Sequence, residues 1–280
     1  MAAADRNPRA AAPTLALGID VGATKIAAGI VDTANGTLVE GRRMPTRPER
    51  GGAAVLRGCA DLAAELGGGG TLPVGVGLCE LVDLEGRPAS GDTVDWRGLD
   101  LSGAFRGAGV VLESDVRAAA LAEARFGVAQ AVSPFLFVIV GSGASACLVV
   151  DGRPFRGAHG EALVLGAPPV ERLAAGPALA RAAGLERAED VLADPAHAAL
   201  VEAAAAELGR VLAVLVNALD PALVVLGGGL GANPEYCWRV ERACRSLHAY
   251  PRTPPLDVVP ARLGADGGVL GAALCAPRAS

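Results

Sequence analysis

The sequence predicts an α/β protein built from two similar halves around a cleft. The pattern of an apolar run, a glycine turn and a second apolar run occurs at residues 15–32 and again at 135–150. Further strand and helix patterns follow each copy. We therefore expect one domain at residues 14–114 and a second at 115–280, with a last helix that could pack back on the first domain.

The first half begins with a predicted set of three antiparallel strands. The pair Asn35-Gly36 is typical of a hairpin turn between the second and third of them. Apolar residues at helical spacing predict a helix over residues 53–66, which ends in four glycines. Short apolar runs predict strands at residues 15–20, 25–32, 38–44, 73–78 and 110–113.

The second half is predicted to start with a helix and a hairpin, the hairpin turning at residues 141–143. A long helix then precedes a strand that runs into three glycines. The predicted helices lie at residues 115–126, 201–219 and 268–275, and the predicted strands at residues 135–141, 144–150 and 223–226.

Composition and charge exclude several classes of protein. The net charge is −5 and the arginines are scattered, so no basic nucleic-acid footprint is present. About a dozen residues precede the first strand, which leaves no room for a helix-turn-helix segment. Neither a signal-peptide core nor an uninterrupted membrane span is found. The six cysteines include no CxxC pair. We expect a cytoplasmic protein that binds neither nucleic acid nor membrane.

The first candidate site is the turn at residues 20–25. Gly22 can expose backbone N–H groups to phosphate oxygens, and Thr24 adds a hydroxyl. Asp20 could hold Mg²⁺ through water. An ordinary hairpin turn would use the same residue types, so this motif alone leaves both interpretations open.

Two more glycine-rich turns follow predicted strands. Gly141, Ser142 and Gly143 join the second pair of strands, in a place equivalent to the first turn. Gly228 and Gly229 follow a later strand, where missing side chains let the backbone approach a ligand closely. Two equivalent turns predict a phosphate site more strongly than either turn alone.

A carboxylate-bearing segment lies at residues 112–120. Asp115 stands where a predicted strand ends and a helix starts. Such a carboxylate can cap the helix, or it can act as a general base that faces a cleft.

Together these segments resemble the ROK family of sugar kinases and related repressors, within the actin-like ATPase (ribonuclease H-like) fold. Residues 20–32 resemble its D-x-G-x-T-K run, and residues 113–126 its E-N-D-x-x-x-A-A-L-x-E segment. Residues 217–230 resemble its N-x-x-D-P-x-x-x-x-L-G-G-G signature. The resemblance implies two domains around an ATP and acceptor cleft, a sugar or sugar-like polyol as acceptor, ATP and Mg²⁺ as cofactors, and a homodimer.

The resemblance also implies roles for individual residues. Asp115 matches the catalytic base. The residues that match the nucleotide and phosphate site are Asp20, Gly22, Thr24 and Lys25 on the first turn, Gly141, Ser142 and Gly143 on the second, and Gly228 and Gly229 on the adenosine side.

The zinc-binding stretch of the family is altered. Val164 stands where the family has a sugar-gripping Glu, and Ala167 stands where it has a zinc-binding His. The closely spaced cysteines of the zinc loop are also missing, and structural zinc needs four ligands. We therefore expect no zinc.

The acceptor side also departs from the family. Glu80 lies where a Pro-Gly pair normally opens the sugar loop. A changed set of carboxylates favours a non-standard acceptor such as an amino sugar or a cyclitol, unless Glu80 is simply solvated on a loop. The candidate acceptor-binding residues are Glu80, Ser114, His159, Glu161 and Glu171.

Three functions stay open at this point. The first is a kinase that phosphorylates a sugar or polyol hydroxyl. The second is a non-catalytic nucleotide- or sugar-binding relative, in view of the altered acceptor residues. The third is another ATPase of the same broad fold.

Overall fold

The structure is a computed structural model that describes residues 14–67, 70–105, 109–162, 170–247 and 255–277. These residues form two five-stranded sheets with helices packed around them. The strands are β1 (Leu15–Val21), β2 (Lys25–Asp32), β3 (Thr37–Pro45), β4 (Val74–Leu78), β5 (Val110–Ser114), β6 (Phe135–Val140), β7 (Ala144–Val150), β8 (Arg153–Pro154), β9 (Leu223–Gly227) and β10 (Asp257–Pro260).

The helices differ widely in length. They are α1 (Gly52–Glu65), α2 (Asp115–Phe126), α3 (Val170–Ala174), α4 (Gly176–Ala183), α5 (Ala188–Ala193), α6 (Ala198–Leu219), α7 (Gly228–Gly231), α8 (Pro234–Ser246) and α9 (Gly267–Cys275). The predicted strands and long helices are confirmed to within a few residues. The sequence interpretation did not assign α3 to α5, because their few residues are too short a window for helical periodicity.

The two sheets share one topology. In the first, β1, β2 and β3 are antiparallel, and β4 and β5 run parallel to β1, in the order β3-β2-β1-β4-β5. In the second, β6, β7 and β8 are antiparallel, and β9 and β10 run parallel to β6, in the order β10-β9-β6-β7-β8. The repeat seen in the sequence as a hairpin therefore extends to all five strands of each sheet.

Helix α2 lies between the two halves. Val116 and Ala120 on one face pack with Phe135 and Phe137 of the second sheet. On another face Ala122 packs with α9 and with β1 and β2 of the first sheet. Because α2 begins at the end of β5, this packing fixes where its first residue lies relative to both sheets.

Helix α9 comes from the end of the chain but packs on the first sheet. Its backbone lies so close that a Cβ on Gly18 would be 2.1 Å from the Val269 carbonyl oxygen, and one on Gly75 would be 1.8 Å from that of Ala272. Glycine in β1 and β4 is what permits this approach. Helix α9 therefore covers β1 and β4 of the first sheet.

No helix in the described ranges is long and apolar enough to cross a membrane.

Candidate active site

Asp20 and Asp115 lie near each other at the ends of three parallel strands, close enough for the charge of Asp20 to act on Asp115. Asp20, Gly77 and Glu113 stand side by side across β1, β4 and β5. A Cβ on Gly77 would lie 3.7 Å from Asp20 Oδ1 and 3.6 Å from Asp115 Cα. The bare glycine thus leaves room for both aspartates above β4, at the strand ends where ligands bind in open α/β sheets.

Both aspartates have raised pKa values. Burial, followed by the negative charge of Asp20, raises the pKa of Asp115 to about 7. Burial likewise raises the pKa of Asp20 to about 6, although the charge of Lys25 opposes the shift. A carboxyl group with a pKa near neutral pH can both accept and release a proton there, which suits a general base.

One oxygen of Asp115 is held and the other is not. The Val116 N–H donates to Oδ1 at 2.6 Å, whereas Oδ2 makes no hydrogen bond with the described residues. Ser114 precedes the helix, and its side chain does not cap it. The side chain of Asp115 is therefore fixed by one oxygen and can take a proton on the other.

The raised pKa of Asp115 predicts a stability effect of Asp115→Asn. The folded state favours the neutral acid. The stability that this neutral acid contributes is fully present below the ordinary pKa of 3.8, and it is lost as the pH rises through about 7 and the group ionises. The asparagine side chain does not ionise, so the variant does not lose this stability as the pH rises. We expect the variant to melt above the wild type at pH 8 and at the same temperature near pH 4, measured by differential scanning fluorimetry. The exposed Asp61→Asn on α1 is the control, and a lower melting temperature of the Asp115 variant at pH 8 would contradict the prediction.

The first glycine turn contacts the residue that follows β3 and the start of α9. The Gly22 N–H donates to the Lys25 carbonyl at 3.0 Å, and the Thr46 hydroxyl donates to the Gly22 carbonyl at 2.6 Å. Thr24 and Lys25 are exposed on this turn. A Cβ on Gly268 would lie only 2.2 Å from Asp20 Oδ2, so the start of α9 lies against the Asp20 carboxylate.

The second turn and the α7 glycines line a surface made of backbone. Gly141 donates to the Gly143 carbonyl at 2.9 Å, and Ser142 is exposed. A Cβ on Gly141 would meet only the Gly229 nitrogen, at 3.9 Å. Gly228 has φ +80°, and a Cβ on it would lie 2.4 Å from the Val140 carbonyl oxygen. The strands β6 and β9 thus bring the two predicted glycine sets together.

Glu80 is buried and holds a loop. Its Oε2 accepts from the Ser90 hydroxyl at 2.5 Å and the Asp92 N–H at 3.1 Å. Its Oε1 accepts from the Thr93 and Val94 N–H groups, each at 2.8 Å. The interpretation of Glu80 as a solvated loop residue is wrong, because the side chain is 4% exposed. Its contact with an acceptor stays a prediction.

The other predicted acceptor residues are spread around this loop. Ser114 is buried next to Asp115, while His159 and Glu161 are exposed. They flank Gly160, where a Cβ would lie 2.7 Å from the Val82 carbonyl oxygen. Glu171 lies instead against the second turn, because its Oε1 accepts from the Ala144 N–H at 3.1 Å.

A buried ion-pair cluster that the sequence reasoning did not single out supports these loops. Arg117 donates from Nε to Glu113 Oε1 at 2.6 Å, and its terminal nitrogens donate to the Val82 and Gly160 carbonyls, each at 2.6 Å. Arg156 pairs with the other oxygen of Glu113. The spacing of Glu113 and Arg117, four residues apart with the first at the strand end, is the signal that could have found the pair.

The stretch with Val164 and Ala167 lies outside the described residues. Among the described residues, no group of three or more His, Cys, Asp or Glu side chains could hold a metal ion. The expectation of no zinc stays a prediction.

Two sheets of one topology, with paired aspartates and glycine turns at their strand ends, define an α/β protein of the actin-like ATPase class. Residues 16–279 match the model of the ROK family, and the chain belongs to that family.

Two solved structures are similar over nearly the whole chain. One is the ROK family glucokinase of Streptomyces griseus in complex with glucose and AMPPNP, with a TM-score of 0.83 and 25% identity over 94% of this chain and 99% of that one. The other is the ROK hexokinase of Thermus thermophilus, with a TM-score of 0.72 and 34% identity over 94% and 97% of the two chains.

Curated relatives are similar over different lengths. The bifunctional enzyme NanE/NanK of Brucella melitensis is 36% identical over 190 residues, which cover 61% of this chain. The chain spans 36% of the length of that relative and 35% of its counterpart in Brucella suis. The glucokinase of Streptomyces coelicolor is 27% identical over 92% of this chain and 96% of its own length.

Proposed function

We propose that the chain is an ATP-dependent kinase that phosphorylates a hydroxyl group of a sugar or a sugar-like acceptor. The observation that carries the proposal is the position of Asp115 beside Gly77 and Asp20 at the strand ends, where burial and the charge of Asp20 raise its pKa to about 7. Membership of the ROK family and the glucokinase and hexokinase relatives support it.

Asp115 is proposed as the general base. Its Oδ2 takes the proton of the acceptor hydroxyl as the hydroxyl oxygen forms its bond to the γ-phosphorus and the bond from that phosphorus to the β–γ bridging oxygen breaks. Val116 keeps Oδ1 in place through its N–H. Phosphoryl transfer needs chiefly alignment and electrostatic stabilisation, so a fixed base at the right place is the main contribution of the protein.

The residues around the cleft fit a nucleotide and Mg²⁺. A Cβ on Gly141 or on Gly229 would meet no atom closer than 3.9 Å, which leaves an open backbone cradle between the second turn and α7. We propose that Gly22, Thr24 and Lys25 hold phosphates from one side and Gly141, Ser142 and Gly143 from the other, with Gly228 and Gly229 at the adenosine. Asp20 would hold Mg²⁺ through water, and the bound metal–nucleotide supplies the phosphoryl group and neutralises its charge.

The acceptor is proposed to bind beside the loop held by Glu80 and the loop at residues 157–161, which pack against each other at Gly160. Arg117 joins the two loops through the Val82 and Gly160 carbonyls, and Ser114, His159 and Glu161 lie beside them. We propose that the domains at residues 14–114 and 115–280 close on the acceptor, which excludes water as a competing acceptor.

A coupled assay of ADP release tests the proposal. The panel holds glucose, mannose, amino sugars, N-acetylated amino sugars and cyclitols, each with Mg²⁺ and ATP. We expect ADP release that depends on one acceptor of the panel and is absent without an acceptor. Release without any acceptor would indicate an ATPase, and no release with every acceptor would indicate a non-catalytic relative.

Glu80→Gln is expected to impair the acceptor side selectively. The amide replaces one acceptor oxygen with an NH₂ group that faces N–H or hydroxyl donors, which costs about 1.5–3 kcal/mol for bonds to a charged group. Because we propose that only the ordered loop binds the acceptor, binding must recover this loss. We therefore expect KM for the preferred acceptor to rise about tenfold or more, at 1.4 kcal/mol per factor of ten, with KM for ATP unchanged. The same ADP-release assay measures both constants.

Glu85→Gln is the matched control, since Glu85 is exposed on the same loop. It should leave both KM values unchanged. If glucose is the preferred acceptor and Glu80→Gln behaves like the wild type, the hypothesis of an acceptor side specialised through Glu80 is wrong.

A further inference from the structure

A cavity beside α2 has neither Asp20 nor Asp115 in its wall. Its volume is about 360 Å³. Arg117 and Leu121, one helical turn apart on α2, form part of its wall. Asp115 lies two residues before Arg117, and side chains two positions apart on a helix point in nearly opposite directions. The cavity is therefore separate from the site at Asp20 and Asp115.

Positive charge exceeds negative charge in this cavity. Arg117, Arg153 and Arg156 line it together with one carboxylate, Glu113. Glu113 is shared between Arg117 and Arg156. Arg153 is exposed and makes no ion pair with the described residues, so its guanidinium can serve a ligand.

Part of this charge is built into the interior. The side chain of Arg117 is 4% exposed, and it uses Nε and one N–H of each terminal nitrogen. Of the five N–H donors of a guanidinium, two are thus left for another partner. Arg156 is one-third exposed at the cavity mouth. An anion that enters meets fixed donors with little reorganisation.

The rest of the wall is apolar. Val111 of β5 and Leu121 of α2 contribute this surface. Arginine forks match the geometry of phosphate oxygens, and an apolar wall of this size accommodates a short carbon skeleton. We propose that this cavity is a binding site for a small phosphomonoester, with the phosphate held by Arg153 and Arg156 and the carbon chain against Val111 and Leu121.

Arg117 connects the cavity to the loops of the cleft. Arg117 lines the cavity and also donates to the Val82 and Gly160 carbonyls. A ligand that draws Arg156 away from Glu113 leaves that carboxylate to Arg117 alone.

Calorimetric titration of the full chain without ATP or acceptor tests this site, so its result does not depend on kinase activity. The probes are glycerol 3-phosphate, inorganic phosphate and glycerol. We expect glycerol 3-phosphate to bind more tightly than inorganic phosphate, and glycerol not to bind. Arg153→Ala and Arg156→Ala should each weaken glycerol 3-phosphate at least tenfold.

Arg57→Ala, an exposed arginine on α1, is the matched control and should bind glycerol 3-phosphate like the wild type. Arg153→Ala removes an exposed side chain, so an unchanged melting temperature shows that the fold is kept. Normal binding by Arg153→Ala and Arg156→Ala would overturn the site. Equal affinity for inorganic phosphate and glycerol 3-phosphate would overturn the role of the apolar wall, and no binding of either would overturn the proposal.

Discussion

Asp115→Asn is expected to slow phosphoryl transfer by a factor of about 100 to 10,000, the usual contribution of a positioned general base. The amide keeps the size of the side chain and can still accept the Val116 N–H, but it cannot take the proton of the acceptor hydroxyl. The loss should therefore appear in kcat, while KM for the acceptor stays within about threefold. The measurement is ADP release at saturating ATP with the best acceptor of the panel.

The pH profile separates this chemical role from a structural one. The wild-type kcat/KM is expected to rise with pH and to level off above about 7, because only the ionised Asp115 accepts a proton. The Asn variant should lack this rise. Asp61→Asn should match the wild type in rate and in pH profile. Phosphate transfer by Asp115→Asn at the normal rate would remove the basis of the proposed mechanism.

Gly271→Ala is expected to destabilise the fold by about 3 kcal/mol, at the upper end of the usual cost of overpacking. A Cβ at this position of α9 would lie 1.9 Å from the Ala118 carbonyl oxygen and 2.2 Å from its carbon. Both are backbone atoms of α2, so no side-chain rotation relieves the clash. The helix propensity gained by alanine, about 1 kcal/mol, is too small to offset it.

The melting temperature should fall by about 6–12 °C at the usual 2–4 °C per kcal/mol for a chain of this size class. Gly267→Ala is a control on the same helix, since its Cβ would meet only Leu263 Cβ at 3.5 Å. It should melt at the wild-type temperature or up to about 4 °C above it, because the new Cβ makes only an ordinary van der Waals contact and alanine gains at most about 1 kcal/mol of helix propensity. If Gly271→Ala and Gly267→Ala have the same melting temperature, α2 and α9 are not packed backbone to backbone.

The glycine turn and the helix start at the site could be predicted, because the sequence patterns that indicate them span only a few neighbouring residues. The turn at residues 20–25 and the helix start at Asp115 each follow an apolar run, and both motifs lie where the sequence placed them. The partners of Glu80 could not be predicted, since they lie 10 to 14 residues away along a loop without periodicity. The contact of Glu171 with the Ala144 N–H beside the second turn could not be predicted either, since the two residues are 27 positions apart in the chain.

The sequence by itself determined the α/β class, the repeated hairpin, the glycine turns and the carboxylates that resemble the ROK family. These features depend on residues within a few positions of one another, where periodicity and turn chemistry operate.

Only the tertiary structure decided that Asp20 and Asp115 lie beside Gly77, that the α9 backbone touches β1 and β4 directly, and that Arg117 joins two loops. Each of these contacts is formed between elements far apart in the chain. Their geometry follows from the packing of whole helices and sheets, in which a missing Cβ at Gly77 or Gly271 sets the distance, and no local pattern encodes that distance.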